Sequence, residues 1–391
     1  MRILMLLYNQ TGKGTYWRAD HLGRALVERG HRVTLVSTAP RARLKLQVWH
    51  AGDFTRVETP DLLPGALRSG WDPYNTLRRL AWLRNQTFDV AHAFETRPVV
   101  IYPALAAQQR GARLFFDWCD WFGRGGSVEE RPNPLVRAVL RPVETYFEEH
   151  FRGRAAGTTV INTFLRQRAI ALGVPPADVL LLRNGSTLDH PPQDMAAARR
   201  KTGLPPDIPL IGYIGGAYEN DARLMAAAFN RLLAVEPRAR LALAGYFNRP
   251  IEAWLDRPEA VIRTGRLDYP ALFDVLSACQ VCWLPLTDSG ANRGRWPLKL
   301  NDYMSAGRPV VATQVGDLQA VIARHELGVS VPPEPEAIAA ATQALLNDPP
   351  RAAALGRAAR RAAETHIRWA QLAVELEDFY RRSLAAPPDQ G

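Results

Sequence analysis

Cysteine is scarce: three residues, Cys119, Cys279 and Cys282, in a chain of 391. So low and odd a count excludes a disulfide-stapled scaffold and fits a reduced compartment. Cys279-Gln280-Val281-Cys282 has CxxC spacing, but no second cysteine pair or nearby histidine completes a metal site. The pair enters an apolar run, Val281 to Leu286, and reads as two small buried thiols. Long hydrophobic runs are also missing. The opening run Met1–Tyr8 is apolar but far short of the roughly 20 residues of a membrane span. It has no small-residue cleavage site, so it is expected to be the first buried strand rather than a signal peptide. There is no GxGxxG, since the residue three after Gly14 is Trp17, and the P-loop pattern is incomplete. A nicotinamide-dependent oxidoreductase is therefore poorly supported. No DxD-type metal pair stands out. No zinc-finger, RNA-recognition or helix-turn-helix pattern is present either, which makes nucleic acid the least favoured partner.

What is there is an ordinary globular composition, 47% hydrophobic and 23% charged, with a net charge of +10. That balance favours anionic partners such as phosphorylated donors or an anionic membrane surface. The length exceeds what one core serves, so two domains of about 150–200 residues are expected. The tail Pro387–Gly391 lacks apolar groups to bury and is expected to be disordered.

Short apolar runs alternate with helical segments, the pattern of parallel α/β folds. Strand Ile3–Leu7, the loop Gln10-Thr11-Gly12-Lys13-Gly14, a helix over 16–29 and strand Val33–Ser37 make one βαβ unit. Further strands are expected at Val90–Phe94, Leu114–Phe116, Gly157–Ile161 and Val179–Leu182. The stretch 191–209, rich in prolines and basic residues, reads as the linker into a second half. There the alternation resumes with strands Leu210–Ile214, Arg240–Ala244, Val261–Thr264, Val281–Leu286 and Pro309–Thr313. Helices are expected near 222–235, 269–277, 298–305, 335–365 and 369–382. This gives an N-terminal Rossmann-like domain over 1–187, a C-terminal one over 188–367 and a terminal helix over 368–391. Ligands of open parallel sheets sit at the carboxyl ends of strands. In both halves those ends carry glycine or polar loops, which predicts a cleft enzyme.

Three segments carry candidate chemistry. Gly12, Lys13 and Gly14 form a loop where the backbone could approach a ligand closely, or one that needs only glycine conformations. Asp117-Trp118-Cys119-Asp120-Trp121 sets two carboxylates among aromatics just past a strand. Aromatic faces pack on sugars and carboxylates bind their hydroxyls, although the same residues suit a capped turn beside core tryptophans. The richest segment runs from Asp288 to Thr313. A loop with Asn292, Arg293, Gly294 and Arg295 leads into a helix with Lys299 in its first turn and Asp302 three residues on, on the same face. A helix N-terminus suits a diphosphate, Lys299 adds a full charge, and Asp302 can accept ribose hydroxyls. A surface helix with an ion pair is the plainer reading.

In this segment the sequence resembles the GT-B glycosyltransferases of family 4, which are retaining and use nucleotide-diphosphate sugars. The motifs "GRLDYPALFDVLSACQVCWLPL" and "PLKLNDYMSAGRPVVAT" resemble the family's C-terminal signature, and "VINTFLRQRAIALGV" with "VLLLRNGSTLD" resembles the end of its N-domain. The resemblance implies a GT-B fold, two Rossmann-like doubly wound parallel-sheet domains facing a central cleft. It implies a donor site of Gly215, Gly216, Asn292, Arg293, Gly294, Arg295, Lys299 and Asp302. It also implies an acceptor on the N-domain, where the strand-end loops offer Gly12, Lys13, Gly14, Glu95, Trp118 and Trp121, and the candidate catalytic groups are Asp117, Asp120, Lys299 and Arg293. Neither a metal nor a separate cofactor is implied. The sequence departs from the family pattern in three respects. The first of two glutamates common around the helix maps to Gly294, and the second to Asp302. The arginine and lysine common after the first C-domain strand map to Gly216 and Asn220, so Arg293, Arg295 and Lys299 are expected to compensate. Asp117 or Asp120 stands where a histidine is common.

The expected activity is retaining transfer from a nucleotide-diphosphate sugar to a glycan or lipid-linked glycan, in cell-surface polysaccharide or glycoconjugate assembly. A non-catalytic nucleotide-sugar-binding protein and a GT-B sugar-nucleotide epimerase are the alternatives. Two basic, partly apolar segments, 66–84 and 135–154, either cover the sheet as ordinary amphipathic helices or touch an anionic membrane. The expected location is cytoplasmic, with peripheral membrane contact.

Overall fold

A computed structural model describes residues 1–62, 70–186, 188 and 190–385. Residues 66–69 of the first basic segment, the domain boundary expected at 187 and the tail Pro387–Gly391 lie outside the described residues. The chain divides into two α/β units: residues 1–184, 294–296 and the segment from Trp369 form unit 1, and residues 185–293 and 297–368 form unit 2.

Unit 1 contains β1 (Arg2–Gln10), α1 (Tyr16–Glu28), β2 (Arg32–Thr38), β3 (Gln47–Ala51), β4 (Phe54–Thr59), α2 (Pro73–Leu83), β5 (Val90–Phe94), α3 (Pro98–Gln108), β6 (Arg113–Trp118), α4 (Pro134–Glu149), β7 (Gly157–Val160), α5 (Thr163–Ala171) and β8 (Val179–Leu181). Its sheet order is β3-β4-β2-β1-β5-β6-β7-β8. Only the β3–β4 pairing is antiparallel among the described strands. The unbroken apolar run of β1 follows from burial on both faces. Ile3, Met5 and Leu7 pack with Leu22 and Leu26 of α1, while Leu4 and Leu6 pack with Val100 and Ile101 of α3.

Unit 2 contains α6 (Met195–Thr202), β9 (Leu210–Ile214), α7 (Glu219–Val235), β10 (Arg240–Ala244), β11 (Val261–Gly265), α8 (Tyr269–Ala278), β12 (Val281–Leu284), α9 (Gly290–Arg293), α10 (Leu298–Ser305), β13 (Val310–Thr313), α11 (Leu318–His325), β14 (Gly328–Val331), α12 (Pro335–Asn347) and α13 (Pro349–Thr365). Its strands run β11-β10-β9-β12-β13-β14, all parallel. Trp283 lies in the core with Phe229, Leu232 and Ile338, and its Nε1 donates to Thr342 Oγ1 at 2.8 Å. Cys279 and Cys282 are free and buried, as the sequence implies. Both flank Gly212, where a Cβ would come within 2.9 Å of Cys279 Sγ.

The last helix, α14 (Trp369–Ala385), belongs to unit 1 although it follows unit 2 in the chain. Leu372, Leu376, Phe379 and Tyr380 join the α1 side of the core, and Trp369 stacks on His21 with ring centroids 5.1 Å apart.

The structure corrects the sequence reading in three places. The supposed linker contains α6, whose Asp194 cap accepts from Ala197 N at 2.9 Å. Its basic residue Arg199 is buried and donates to Ala278 O at 2.9 Å and Gln280 Oε1 at 2.7 Å. The β3–β4 hairpin and the α11–β14 pair are additional elements. Exposed β3 carries no apolar run to reveal it, and β14 is only half-buried.

Both sheets are doubly wound. In unit 1 the chain winds outward from β1 and then in the other direction from β5. In unit 2 it winds from β9 and then from β12. The carboxyl ends at such switch points are where open α/β sheets hold ligands.

Candidate active site

In unit 2 the switch point is built from the loop after β9, the loop after β12 and the start of α10. Gly215 has φ 67, which lets the chain turn sharply as it leaves β9. The Gly216 carbonyl accepts from Lys299 Nζ at 2.8 Å and from Tyr213 OH at 3.1 Å. Lys299 also lies 5.0 Å from the centroid of the Tyr213 ring. Tyr303, fully buried on α10, accepts from Ile214 N at 3.2 Å and pins the helix to the end of β9. Asp302, one turn after Lys299, accepts from Tyr269 OH at 2.6 Å. Burial raises its pKa to about 6, against the Tyr269 hydrogen bond and the Lys299 charge. The structure therefore brings Gly215, Gly216, Lys299 and Asp302 together at one sheet end.

Asn292 and Arg293 take other places. Asn292 is buried, and its Nδ2 donates to Asp221 Oδ1 and Thr287 O, each at 2.8 Å. Asp221 also accepts from Thr287 N at 2.8 Å, so the pair braces the loop from within. Arg293 is exposed and held by both oxygens of Asp288 at 2.6 Å. Gly294 and Arg295 belong to unit 1, so the expected cluster of Arg293, Arg295 and Lys299 is not assembled within unit 2. Besides Lys299, unit 2 places Arg249 at its glycine loop, where Nε donates to Ala217 O at 3.2 Å. Its neighbour Asn248 accepts from Ala217 N at 3.2 Å. Arg249 and Tyr269 were missed by the sequence analysis. Each follows a strand end, and that position was the available signal.

In unit 1 the switch point joins the loops after β1, β5 and β6. Gly12 accepts from Trp17 Nε1 at 3.1 Å, and exposed Lys13 donates to Gln10 Oε1 at 2.8 Å. Gly14 has φ 57, a left-handed turn that favours glycine, and a Cβ there would lie 2.6 Å from Asn9 Nδ2. Glu95 follows β5 with φ 73, a left-handed conformation that costs a non-glycine residue roughly 1–3 kcal/mol. Such strain persists where the surroundings hold it. Here Cys119 Sγ donates to Glu95 Oε1 at 2.7 Å. Burial first, then the Asp120 charge, push the Glu95 pKa well above the ordinary carboxylate value. Half-buried Asp120 is raised by burial to about 6, while Arg295 and Arg97 pull it down. Burial thus favours the protonated form of both neighbouring carboxyl groups. Glu95, Cys119 and Asp120 also bring ligand atoms within 4.8 Å of one another and could hold a metal ion.

Asp117 and Trp118 are interior. Asp117 is fully buried and receives Arg18 through Nε at 3.0 Å and Nη2 at 2.8 Å. Burial alone would raise its pKa, but Arg18 overrides this and holds it below the ordinary value. Thr159 donates to the same carboxylate and links it to His92 and Tyr380. Asp117 therefore holds the framework together and presents no free carboxylate. Fully buried Trp118 lies under the Arg152 guanidinium at 3.7 Å and donates to Glu148 Oε1 at 2.9 Å. It offers no face for a sugar. Trp121 is half-buried, with Arg168 4.5 Å from its ring centroid and Phe164 at 5.2 Å.

Comparison with known proteins agrees with this architecture. Residues 13–185 match the family described as glycosyl transferase 4-like domain, and residues 208–348 match glycosyl transferases group 1. The glycogen synthase of Mycobacterium tuberculosis is 28% identical over 97% of this chain and 94% of its own. The structure of sucrose-phosphate synthase from Thermosynechococcus elongatus superposes with a TM-score of 0.75 at 20% identity, covering 99% of this chain and all of that one. Anabaena Alr3699/HepE, solved with UDP and glucose, gives 0.66 at 14% identity over 98% of this chain and 100% of its own. With both halves matched in that order and the fold shared from end to end, the chain belongs to the group 1 glycosyltransferases of the GT-B fold.

Proposed function

We propose that this glycosyltransferase takes a sugar from a nucleotide-diphosphate donor held on unit 2 and transfers it, with retention, to a glycan or lipid-linked glycan held on unit 1. The observation that carries the reading is Lys299 Nζ on the Gly216 carbonyl, with Asp302 one turn further along α10. The positive end of α10, the Lys299 ammonium and Arg249 supply the positive field a diphosphate needs. Asp302 accepts the ribose hydroxyls. As the bond from sugar C1 to the diphosphate oxygen breaks, the acceptor oxygen bonds to C1 on the same face, and its proton passes to the departing phosphate. Catalysis then rests on positioning and fixed charge and needs no bound metal. In the acceptor site, Asp120 accepts from a sugar hydroxyl, with Glu95 beside it. Gly12, Lys13, Gly14 and Trp121 border that site. The donor reading is supported by Alr3699/HepE, which was solved with UDP and glucose. A role in cell-surface glycan assembly and a cytoplasmic location with peripheral membrane contact belong to the same proposal. Among the described residues no helix is long and apolar enough to cross a membrane.

Two pH effects follow. Asp302 carries its charge above about pH 6 and is protonated below it. Donor affinity is therefore full above pH 6 and weakens by up to about tenfold per pH unit below it. Asp302→Asn should flatten that dependence in a calorimetric titration. Asp120 shares the same threshold. Asp120→Asn should lower kcat/KM for the acceptor about a hundredfold and leave donor affinity unchanged. The reaction itself is tested by following nucleoside diphosphate release from a panel of nucleotide-sugars with saccharide acceptors. The anomeric configuration of the product is then read by NMR. Retention is the expected result, and inversion would contradict the mechanism.

A further inference from the structure

The C-terminal end of α10 closes on a basic groove that the donor reading does not use. The groove lies within unit 2, between the start of α6, the turn after α10 and one face of α13, and has a volume of about 510 Å³. Arg357, Arg360 and Arg361 line it from α13, and Arg308 lines it from the turn. Positions 357, 360 and 361 are three and four apart, so their side chains share a helical face. The helix approaches this closely because two glycines meet: a Cβ on Gly356 would stand 2.3 Å from Gly307 O.

Two of the arginines are partly engaged by the scaffold. Arg360 Nη1 donates to Ser305 O at 2.6 Å, which closes the last turn of α10, and its Nε donates to Glu364 Oε1 at 2.6 Å. Arg308 Nη2 donates to Gln193 O at 2.9 Å, while its Nε is buried without a partner. Burial holds the Arg308 pKa below its ordinary value, because nearby counter-charge does not offset the lost hydration. Arg357 and Arg361 are exposed, and among the described residues neither guanidinium has an ion pair. They stand four apart on the helix, where like charges repel. The one carboxylate that lines the groove is Asp194, which caps α6 by accepting from Ala197 N at 2.9 Å through Oδ1.

We propose that this groove binds a phosphorylated polyol or sugar, with its phosphate on Arg308, Arg357 and Arg361 and a hydroxyl on Asp194, at a site separate from the donor's. The lining selects the class. Guanidinium groups match phosphate oxygens in a fork geometry. The volume is that of a small-molecule site, about 300–1,000 Å³. None of the lining residues is aromatic, so no face is offered on which a nucleobase would stack. Asp194 Oδ2 repels a phosphate but accepts a hydroxyl, which favours a phosphate ester over the free anion. The donor groups are at the other end of the helix: Lys299 sits in the first turn of α10, about 12 Å along the axis from its last residue.

The test is titration of the full chain with sorbitol 6-phosphate, inorganic phosphate and sorbitol, followed by calorimetry and by the melting temperature. The wild type should bind sorbitol 6-phosphate, bind phosphate more weakly and leave sorbitol unbound. R357Q/R361Q should weaken sorbitol 6-phosphate about tenfold or more, since two charge-assisted contacts are lost. Both side chains are exposed, so an unchanged melting temperature without ligand shows that this variant is folded. Asp194→Asn keeps a capping residue at the start of α6 and should abolish the preference for sorbitol 6-phosphate over phosphate. Lys299→Ala should bind sorbitol 6-phosphate as the wild type does, so the outcome does not depend on the donor site. A wild type that shows neither heat nor a raised melting temperature with either phosphate would overturn the proposal. So would unchanged binding by folded R357Q/R361Q, an unchanged preference in Asp194→Asn, or loss of binding in Lys299→Ala.

Discussion

Lys299→Ala lowers kcat/KM for the nucleotide-sugar by on the order of 10²–10³-fold while the protein stays folded. The size comes from the setting of the charge. Lys299 is fixed by the Gly216 carbonyl and the Tyr213 ring, at the end of the central strand of unit 2. Preorganised positive groups aimed at charge that grows on a leaving group contribute about 2.7–4 kcal/mol each. The sequence lacks the two cations common in the resembling family at Gly216 and Asn220, which concentrates the burden on Lys299 and Arg249. Stability should change little, because the ammonium's bond to the Gly216 carbonyl is exposed and worth roughly 1 kcal/mol. Steady-state kinetics with circular dichroism checks both halves of the statement. A variant that keeps activity within tenfold would remove Lys299 from the mechanism.

The second large effect falls on stability. Arg18→Met should destabilise unit 1 by about 3–5 kcal/mol, because it strands a buried carboxylate. Arg18 makes more than one ion pair's worth of contacts. Beyond Asp117 it donates to Leu182 O at 2.8 Å, Arg183 O at 3.1 Å and Asn184 Oδ1 at 3.1 Å. Removing it takes a hydrogen bond from each of those acceptors as well. For a unit of this size the midpoint should fall on the order of 10 °C in scanning calorimetry. The folded Asp117 pKa is depressed, so the contribution of the pair persists above the ordinary carboxylate value and is lost as pH drops below it. The double change Arg18→Met/Asp117→Leu should recover most of the loss, since an apolar pair replaces a buried ion pair at little cost. A single-variant loss no larger than that of a surface change would show that Asp117 is not the buried partner described.

These two residues also show where sequence reading succeeds and where it stops. The parallel sheets were legible because doubly covered strands such as β1 and β12 must be apolar throughout. Helix α10 was legible to the residue, from Pro297 before it to Gly307 after it. Lys299 and Asp302 were found because positions three apart share a helical face, a local property. Arg18 and Asp117 are 99 residues apart in sequence and meet only in the fold. Nothing local distinguishes the buried Asp117 from Asp120 three residues later, and both looked equally able to act. Trp118 was misread for the same reason: an aromatic past a strand can face a ligand or an arginine beneath it. Arg293 and Arg295 differ because the chain leaves unit 2 at Gly294, and charge patterning does not reveal such a crossing. Glu95 was selected for its place at a strand end, but its left-handed backbone and raised pKa are shaped by Cys119 and Asp120 arriving from another strand.

The central claim is that unit 2 holds a nucleotide-sugar through Lys299 and Asp302. Thermal stabilisation of the wild type and of Lys299→Ala across nucleotide-sugars and nicotinamide cofactors tests it most directly. A ligand at a hundred times its Kd should add about 2.7 kcal/mol. The account predicts that one class of nucleotide-sugar raises the wild-type midpoint and raises that of the variant far less. A folded wild type stabilised only by a nicotinamide cofactor, or equally stabilised with and without Lys299, would contradict it.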